Sequence, residues 1–158
     1  MHPALTRRNV LASLALASLG TAAYGRWLEP RSLRVKRITL PLDTLPPPLE
    51  GLRIVQLSDF HCEPFTSLTF LSHAAETASQ LDADLVVLTG DFIDGRPSAI
   101  EDLAPILAKI PSRFGTFAIN GNHDARKAGP LVEKHLDQHG IHFLKNRSRS
   151  VTIRDHTV

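Results

Sequence analysis

Hydrophobic and polar positions alternate along the chain in a repeating order of short apolar runs and helix-spaced stripes. Leu52 to Leu57 is an apolar-rich run that ends in Ser58-Asp59-Phe60-His61, which predicts a strand feeding a polar loop. Leu68, Leu71, Ala75 and Ala78 follow at helical spacing. Leu85-Val86-Val87-Leu88-Thr89 is the strongest strand signal and runs straight into Gly90-Asp91-Phe92-Ile93-Asp94. Its apolar residues occupy both faces, the pattern of a parallel strand covered by helices. A helix is expected within Ser98 to Ile110, with Ser98 and Glu101 offering a capping box. Pro105 sits awkwardly inside it, so the helix is expected to begin nearer Asp102. Phe114 to Ile119 is a third strand, ending in Asn120-Gly121-Asn122-His123-Asp124, and Pro130 opens a last helix that Gly140 ends. Ile141 to Leu144 suits a short strand, and Ser150 to Ile153 alternates like the start of a hairpin.

Three strand-helix units joined by right-handed crossovers predict an α/β fold with parallel strands. Upstream, Leu33 to Leu40 alternates apolar and polar and suits an outer strand, while Pro46-Pro47-Pro48 interrupts regular structure before Gly51. The organisation read here is a leader at residues 1–25, an edge strand and Pro-rich linker at 26–51, and a catalytic-type domain at 52–158.

The leader changes the reading of charge. The chain carries eighteen basic and sixteen acidic residues, and Arg7 and Arg8 lie in the leader, which has no acid. The remainder balances at sixteen of each sign, so nothing supports nucleic-acid binding through bulk charge. Thr6-Arg7-Arg8-Asn9-Val10-Leu11 followed by a mild apolar run to Tyr24 reads as a twin-arginine export signal, with Thr21-Ala22-Ala23 the best cleavage site. The expected location is the periplasm or cell envelope. The alternative is an uncleaved anchor in the inner membrane, and either puts the N-terminus near a membrane; the apolar run falls short of the ~20 residues a spanning helix needs. The single cysteine, Cys62, excludes an internal disulfide.

In open parallel sheets, chemistry gathers at the carboxyl ends of strands. The three strand ends here offer Asp59 and His61, then Asp91, then Asn122, His123 and Asp124. Carboxylate, imidazole and amide oxygen form the mixed donor set that suits Mn, Fe or Zn. Asp91 has two oxygens and can bridge a pair of ions, which between them acidify a shared water into a hydroxide aimed at phosphorus. His135 and His139 are four apart on a predicted helix but lack the intervening acid of zinc proteases, so they read as a solvated face.

The three motifs Ser58-Asp59-Phe60-His61, Gly90-Asp91-Phe92-Ile93-Asp94 and Gly121-Asn122-His123-Asp124, in that order, resemble those of the calcineurin-like metallophosphoesterases. With the leader, the chain looks like their exported bacterial branch, which includes phosphodiesterases related to lipid-A-precursor pyrophosphatases. The resemblance implies the N-terminal half of a four-layer α/β/β/α sandwich around two sheets. It also implies a dinuclear centre: Asp59 and His61 on the first ion, Asp91 bridging, and Asn122 on the second. His123 would face the phosphate, stabilising charge or protonating the leaving oxygen, with Asp124 orienting it. The expected substrate is a small-molecule or lipid phosphate ester. The family continues with a further histidine and a Gly-His-x-His motif, which this chain lacks. The chain is therefore expected to be a truncated or partial domain whose open sheet face favours self-association. The rival reading is an inactive remnant that binds metal weakly or not at all.

Overall fold

A computed structural model describes residues 6–23 and 32–158 of the chain. The chain divides into two units, residues 1–40 and 41–158. In the first, the described part is helix α1, Arg7–Ala23, whose side chains from 7 to 22 are exposed, and a stretch from 32 to 40 without regular structure. Among the described residues, no helix is long and apolar enough to cross a membrane. The outer strand expected at Leu33 to Leu40 does not form. Alternation alone makes no strand, because a strand exists only where a neighbour completes its hydrogen-bond ladder. The junction at residues 24–31, where leader and linker meet, lies outside the described residues.

The second unit is built from β1 (Ile54–Leu57), α2 (Leu68–Ser79), β2 (Leu85–Leu88), α3 (Ala99–Leu107), β3 (Thr116–Ala118), α4 (Asn122–Lys127), α5 (Gly129–Gln138) and β4 (His142–Phe143). A hairpin of β5 (Thr152–Ile153) and β6 (His156–Thr157) completes it. The four longer-range strands pair in parallel in the order β1-β2-β3-β4, confirming the α/β reading. Because spatial order follows chain order, crossovers of one hand lay α2, α3 and α5 side by side on one face of the sheet. Helix α2 packs on α3, and α3 on α5.

That one-sided layout corrects the expectation of strands buried on both faces. Val55, Val86, Thr116, Leu88 and Ala118 are buried toward the helices, whereas Leu85, Val87 and Phe117 on the other face are only partly covered. Ile54, which also points away from the helices, is 55% exposed. Apolar residues on both faces of β2 thus need not mean two helical layers.

Local sequence explains most boundaries. Ser67 caps α2, its Oγ accepting from the Phe70 N–H at 3.3 Å, and Leu71, Ala75 and Ala78 form the buried stripe. Helix α3 differs from expectation: it starts at Ala99 and Ser98 makes no capping bond. Pro105 is accommodated in the second half because Ile100, Leu103 and Leu107 are fully buried, and that packing outweighs one missing hydrogen bond.

Candidate metal and phosphoester site

The site grows from the ends of β1, β2 and β3. Beyond β1 the chain does not leave the sheet at once. The N–H groups of Asp59, His61 and Cys62 donate to the carbonyls of Gly90, Asp91 and Phe92 at 3.1, 2.8 and 3.0 Å, so two loops run side by side. Asp59, His61 and Asp91 all have positive φ, at 57°, 42° and 54°. Each such residue stores on the order of 1 kcal/mol or more of strain, held by the hydrogen bonds around it.

Two glycines let the second and third loops meet. A Cβ on Gly90 would overlap the Gly121 backbone, and one on Gly121 would overlap the backbone and carboxylate of Asp91. Glycine is required at both places by close approach, with Gly90 also at φ +94°. The contact lets the His123 N–H donate to Asp91 Oδ1 at 2.9 Å.

The structure brings together the residues singled out in the sequence. His61 Nε2 lies 3.7 Å from Asp59 Oδ1 and 3.7 Å from Asp91 Oδ2. The donor atoms of Asp59, His61 and Asp91 all lie within 4.8 Å of one another, close enough to share one ion. Asn122, on the first turn of α4, reaches the same Asp91 oxygen that His61 approaches: its carboxamide lies 3.3 Å from Asp91 Oδ2. The His61 and His123 rings meet edge to face, with centroids 4.8 Å apart. A second group of donors, His61, Asp94 and His123, falls within the same span of one another.

The partner of His123 is a correction to the sequence reading. His123 Nδ1 pairs with Asp94 Oδ1 at 2.5 Å, so Asp94, not Asp124, is the carboxylate that orients the ring. Asp124 is fully buried and turned inward. Its Oδ1 accepts from the N–H groups of Phe92 at 2.9 Å and Ile93 at 3.2 Å, and its Oδ2 accepts from Gly121 N–H at 2.9 Å. It ties the second and third loops to each other. Burial pushes its carboxyl above the ordinary value, against the pull of those N–H donors. In the sequence Asp94, the second acid in Gly90-Asp91-Phe92-Ile93-Asp94, reads as a support for the loop after Asp91 through hydrogen bonds; which side chain it meets is visible only in the fold.

Cys62 follows His61 but is 1% exposed, and burial lifts its thiol to about 11. A protonated thiol facing the core is no metal ligand here. Among the described residues His135 and His139 belong to no metal-like cluster: His139 Nδ1 lies 2.8 Å from the His135 carbonyl oxygen, a local contact at the end of α5. A separate charged network lies around Asp84, which is 1% exposed. Asp84 accepts from Arg53 N–H at 2.9 Å and from Arg113 at 2.6 Å, with Arg154 at 3.8 Å. Burial pushes its carboxyl up, but these donors and charges together outweigh it and hold it below the ordinary value. Arg154 also donates to the carbonyls of Pro48 and Glu50 at 2.9 and 3.0 Å, which fastens the β5–β6 hairpin to the segment that leads into β1.

Two aspartates, a histidine and an asparagine thus converge at the strand ends of a parallel sheet, beside a histidine held by a carboxylate. The chain belongs to the calcineurin-like phosphoesterase family, whose model matches residues 52–154. Among its relatives, the uncharacterized metallophosphoesterase YkuE of Bacillus subtilis is 32% identical over 150 residues, covering 93% of this chain and 52% of that protein. The UDP-2,3-diacylglucosamine pyrophosphatase LpxG of Chlamydia trachomatis is 36% identical over 115 residues, covering 72% of this chain and 35% of LpxG. A zebrafish (Danio rerio) transmembrane protein with a metallophosphoesterase domain is 34% identical over 118 residues, covering 75% and 26% respectively. The chain thus spans about half, or less, of the length of these curated relatives. No solved structure matches it.

Proposed function

We propose that this chain carries the metal-binding and proton-transferring part of an exported phosphoester hydrolase. The observation that carries the reading is the convergence of Asp59, His61 and Asp91 donor atoms within 4.8 Å, with Asn122 beside Asp91. Oxygen and imidazole donors of this kind fit Mn, Fe or Zn, and ligands of one ion stand about 3–4 Å apart, as His61 does from both Asp59 and Asp91. Asp59 and His61 would hold the first ion, Asp91 would be shared, and Asn122 would serve the second. Bound metal would supply Lewis-acid polarisation of the phosphoryl group and a water acidified to near neutrality.

The chain's own residues do the rest. Asp94 fixes the His123 ring through Nδ1, leaving Nε2 as the nitrogen that exchanges a proton with the leaving oxygen. Asp124 keeps the loops carrying Asp91 and His123 in register through backbone bonds, so their separation is set before substrate arrives. Among the described residues a second ion beside Asp91 would be held by Asp91 and Asn122, fewer donors than the three at the first position. The LpxG relative supports a lipid-linked phosphoester or pyrophosphate as substrate class.

The test is hydrolysis of bis-p-nitrophenyl phosphate by the full chain with added Mn²⁺. Turnover is expected to fall at least 100-fold in Asp91→Asn, with a comparable fall in kcat for His123→Ala. Metal-dependent turnover that survives Asp91→Asn would refute the assignment. The leader supports passage through the twin-arginine route to the cell envelope. Replacing Arg7 and Arg8 together by lysine should strand the protein in the cytoplasm on cell fractionation, and unchanged export would exclude that route.

A further inference from the structure

The Asn122 carboxamide sits between Asp91 and Arg126, and its one oxygen cannot face the guanidinium and a metal beside Asp91 at the same time. Arg126, one turn further along α4 and exposed, donates from Nε to the Asn122 main-chain carbonyl at 3.1 Å. With its amino group toward Asp91, the Asn122 carboxamide donates to Asp91 Oδ2 at 3.3 Å and accepts from Arg126 Nη2 at 2.8 Å, so both ends are satisfied. Turned over, its oxygen faces the Asp91 oxygen and its amino group faces the guanidinium. That second arrangement sets acceptor against acceptor and donor against donor, and only a cation between the two oxygens makes it favourable.

We propose that the Asn122 carboxamide is a two-position switch that couples metal loading to Arg126, and that Arg126, once released, contacts the phosphate group of the substrate. The inference rests on the metal-dependent phosphoester reading above. The orientation that offers an oxygen to a metal is the one that loses the Arg126 hydrogen bond. The guanidinium, still held at Nε by the Asn122 carbonyl, then has its Nη2 donor released on the same helix as His123, and charged N–H donors of this kind suit phosphate oxygens. The rim around it is otherwise acidic, through Asp59, Asp91 and Asp94, so an anionic ester gains from a cation that turns toward it only after metal is in place. Coupling of this kind is reciprocal: phosphate that takes up Arg126 frees the Asn122 oxygen for metal.

The experiment measures Mn²⁺ binding to the full chain by loss of the free-ion electron paramagnetic resonance signal, with and without inorganic phosphate. The wild type is compared with Arg126→Gln, Asn122→Ala and the double variant. One net hydrogen bond corresponds to about a three- to fivefold change in affinity. Arg126→Gln should therefore bind Mn²⁺ about threefold tighter than wild type, and the same substitution should have no such effect on top of Asn122→Ala. Phosphate should tighten Mn²⁺ binding severalfold in the wild type and much less in Arg126→Gln. Mn²⁺ binding that Arg126→Gln leaves unchanged or weakens would overturn the switch while leaving the metal site standing. An equal gain in the Asn122→Ala background would overturn it too, because loss of positive charge alone would then explain the effect. Equal phosphate responses would overturn the phosphate contact. Absence of Mn²⁺ binding in every variant would overturn the switch together with the metal reading beneath it.

Discussion

Replacing Asp124 by alanine should destabilise the domain, even though Asp124 contacts neither of the site histidine rings. Its two oxygens satisfy three backbone N–H groups, those of Phe92, Ile93 and Gly121. Hydrogen bonds to a charged acceptor are worth roughly 1.5–3 kcal/mol each, and a buried donor left unpaired loses its solvation as well. Three such bonds suggest a loss of about 5 kcal/mol, partly offset because a buried carboxylate no longer has to be desolvated. The burial-raised carboxyl shows that this offset is real. A net loss of about 3 kcal/mol remains, which for a domain of this size lowers Tm by roughly 10 °C. Urea unfolding followed by circular dichroism, wild type against Asp124→Ala, reads it directly. A change in stability below about 1 kcal/mol would refute the reasoning, since the loops would then be held together without the clamp. The pH dependence adds a sign. With its folded value raised, Asp124 contributes stability that is full below the ordinary carboxylate value of 3.8 and declines as pH rises through the folded value. Asp124→Ala should lose that decline.

Asp84 works in the opposite sense. Its folded value is depressed, so its contribution is present above pH 3.8 and disappears as pH falls through the folded value. Asp84→Asn should weaken the domain by about 1 kcal/mol at neutral pH, discounted because its Arg113 partner is half exposed. The deficit should vanish in strong acid; one that persists there would mean packing, not charge, is responsible. Gly121→Ala should disrupt the site because its methyl group has no room beside Asp91. The assay is Mn²⁺ affinity, with at least a tenfold weakening expected, and unchanged affinity would show that the loops can separate freely.

Much of the molecule was legible before any coordinates. Short apolar runs ending in Gly-Asp or Gly-Asn mark strand ends by purely local chemistry, and the stripe at Leu71, Ala75 and Ala78 marks a helix face. The loop candidates Asp59, His61, Asp91 and Asn122 could be found because strand ends in a parallel sheet converge on one rim. Other features depended on contacts across the chain. Nothing in one dimension says that His123 meets Asp94, 29 residues away, or that Asp124 bends back to N–H groups 31 and 32 residues distant. Adjacent residues on a helical turn point in different directions, so His123 and Asp124, neighbours in sequence, face opposite sides of the loop. The start of α3 was set by burial of Ile100 and Leu103 rather than by Ser98. The exposed face of the sheet followed from strand order, since crossovers of one hand in chain order place every helix on the same side. Sequence determined which residues reach the rim, because strand and loop are local events. Only the tertiary structure decided which of them touch, because a hydrogen bond is made by position in space and not by position in the chain.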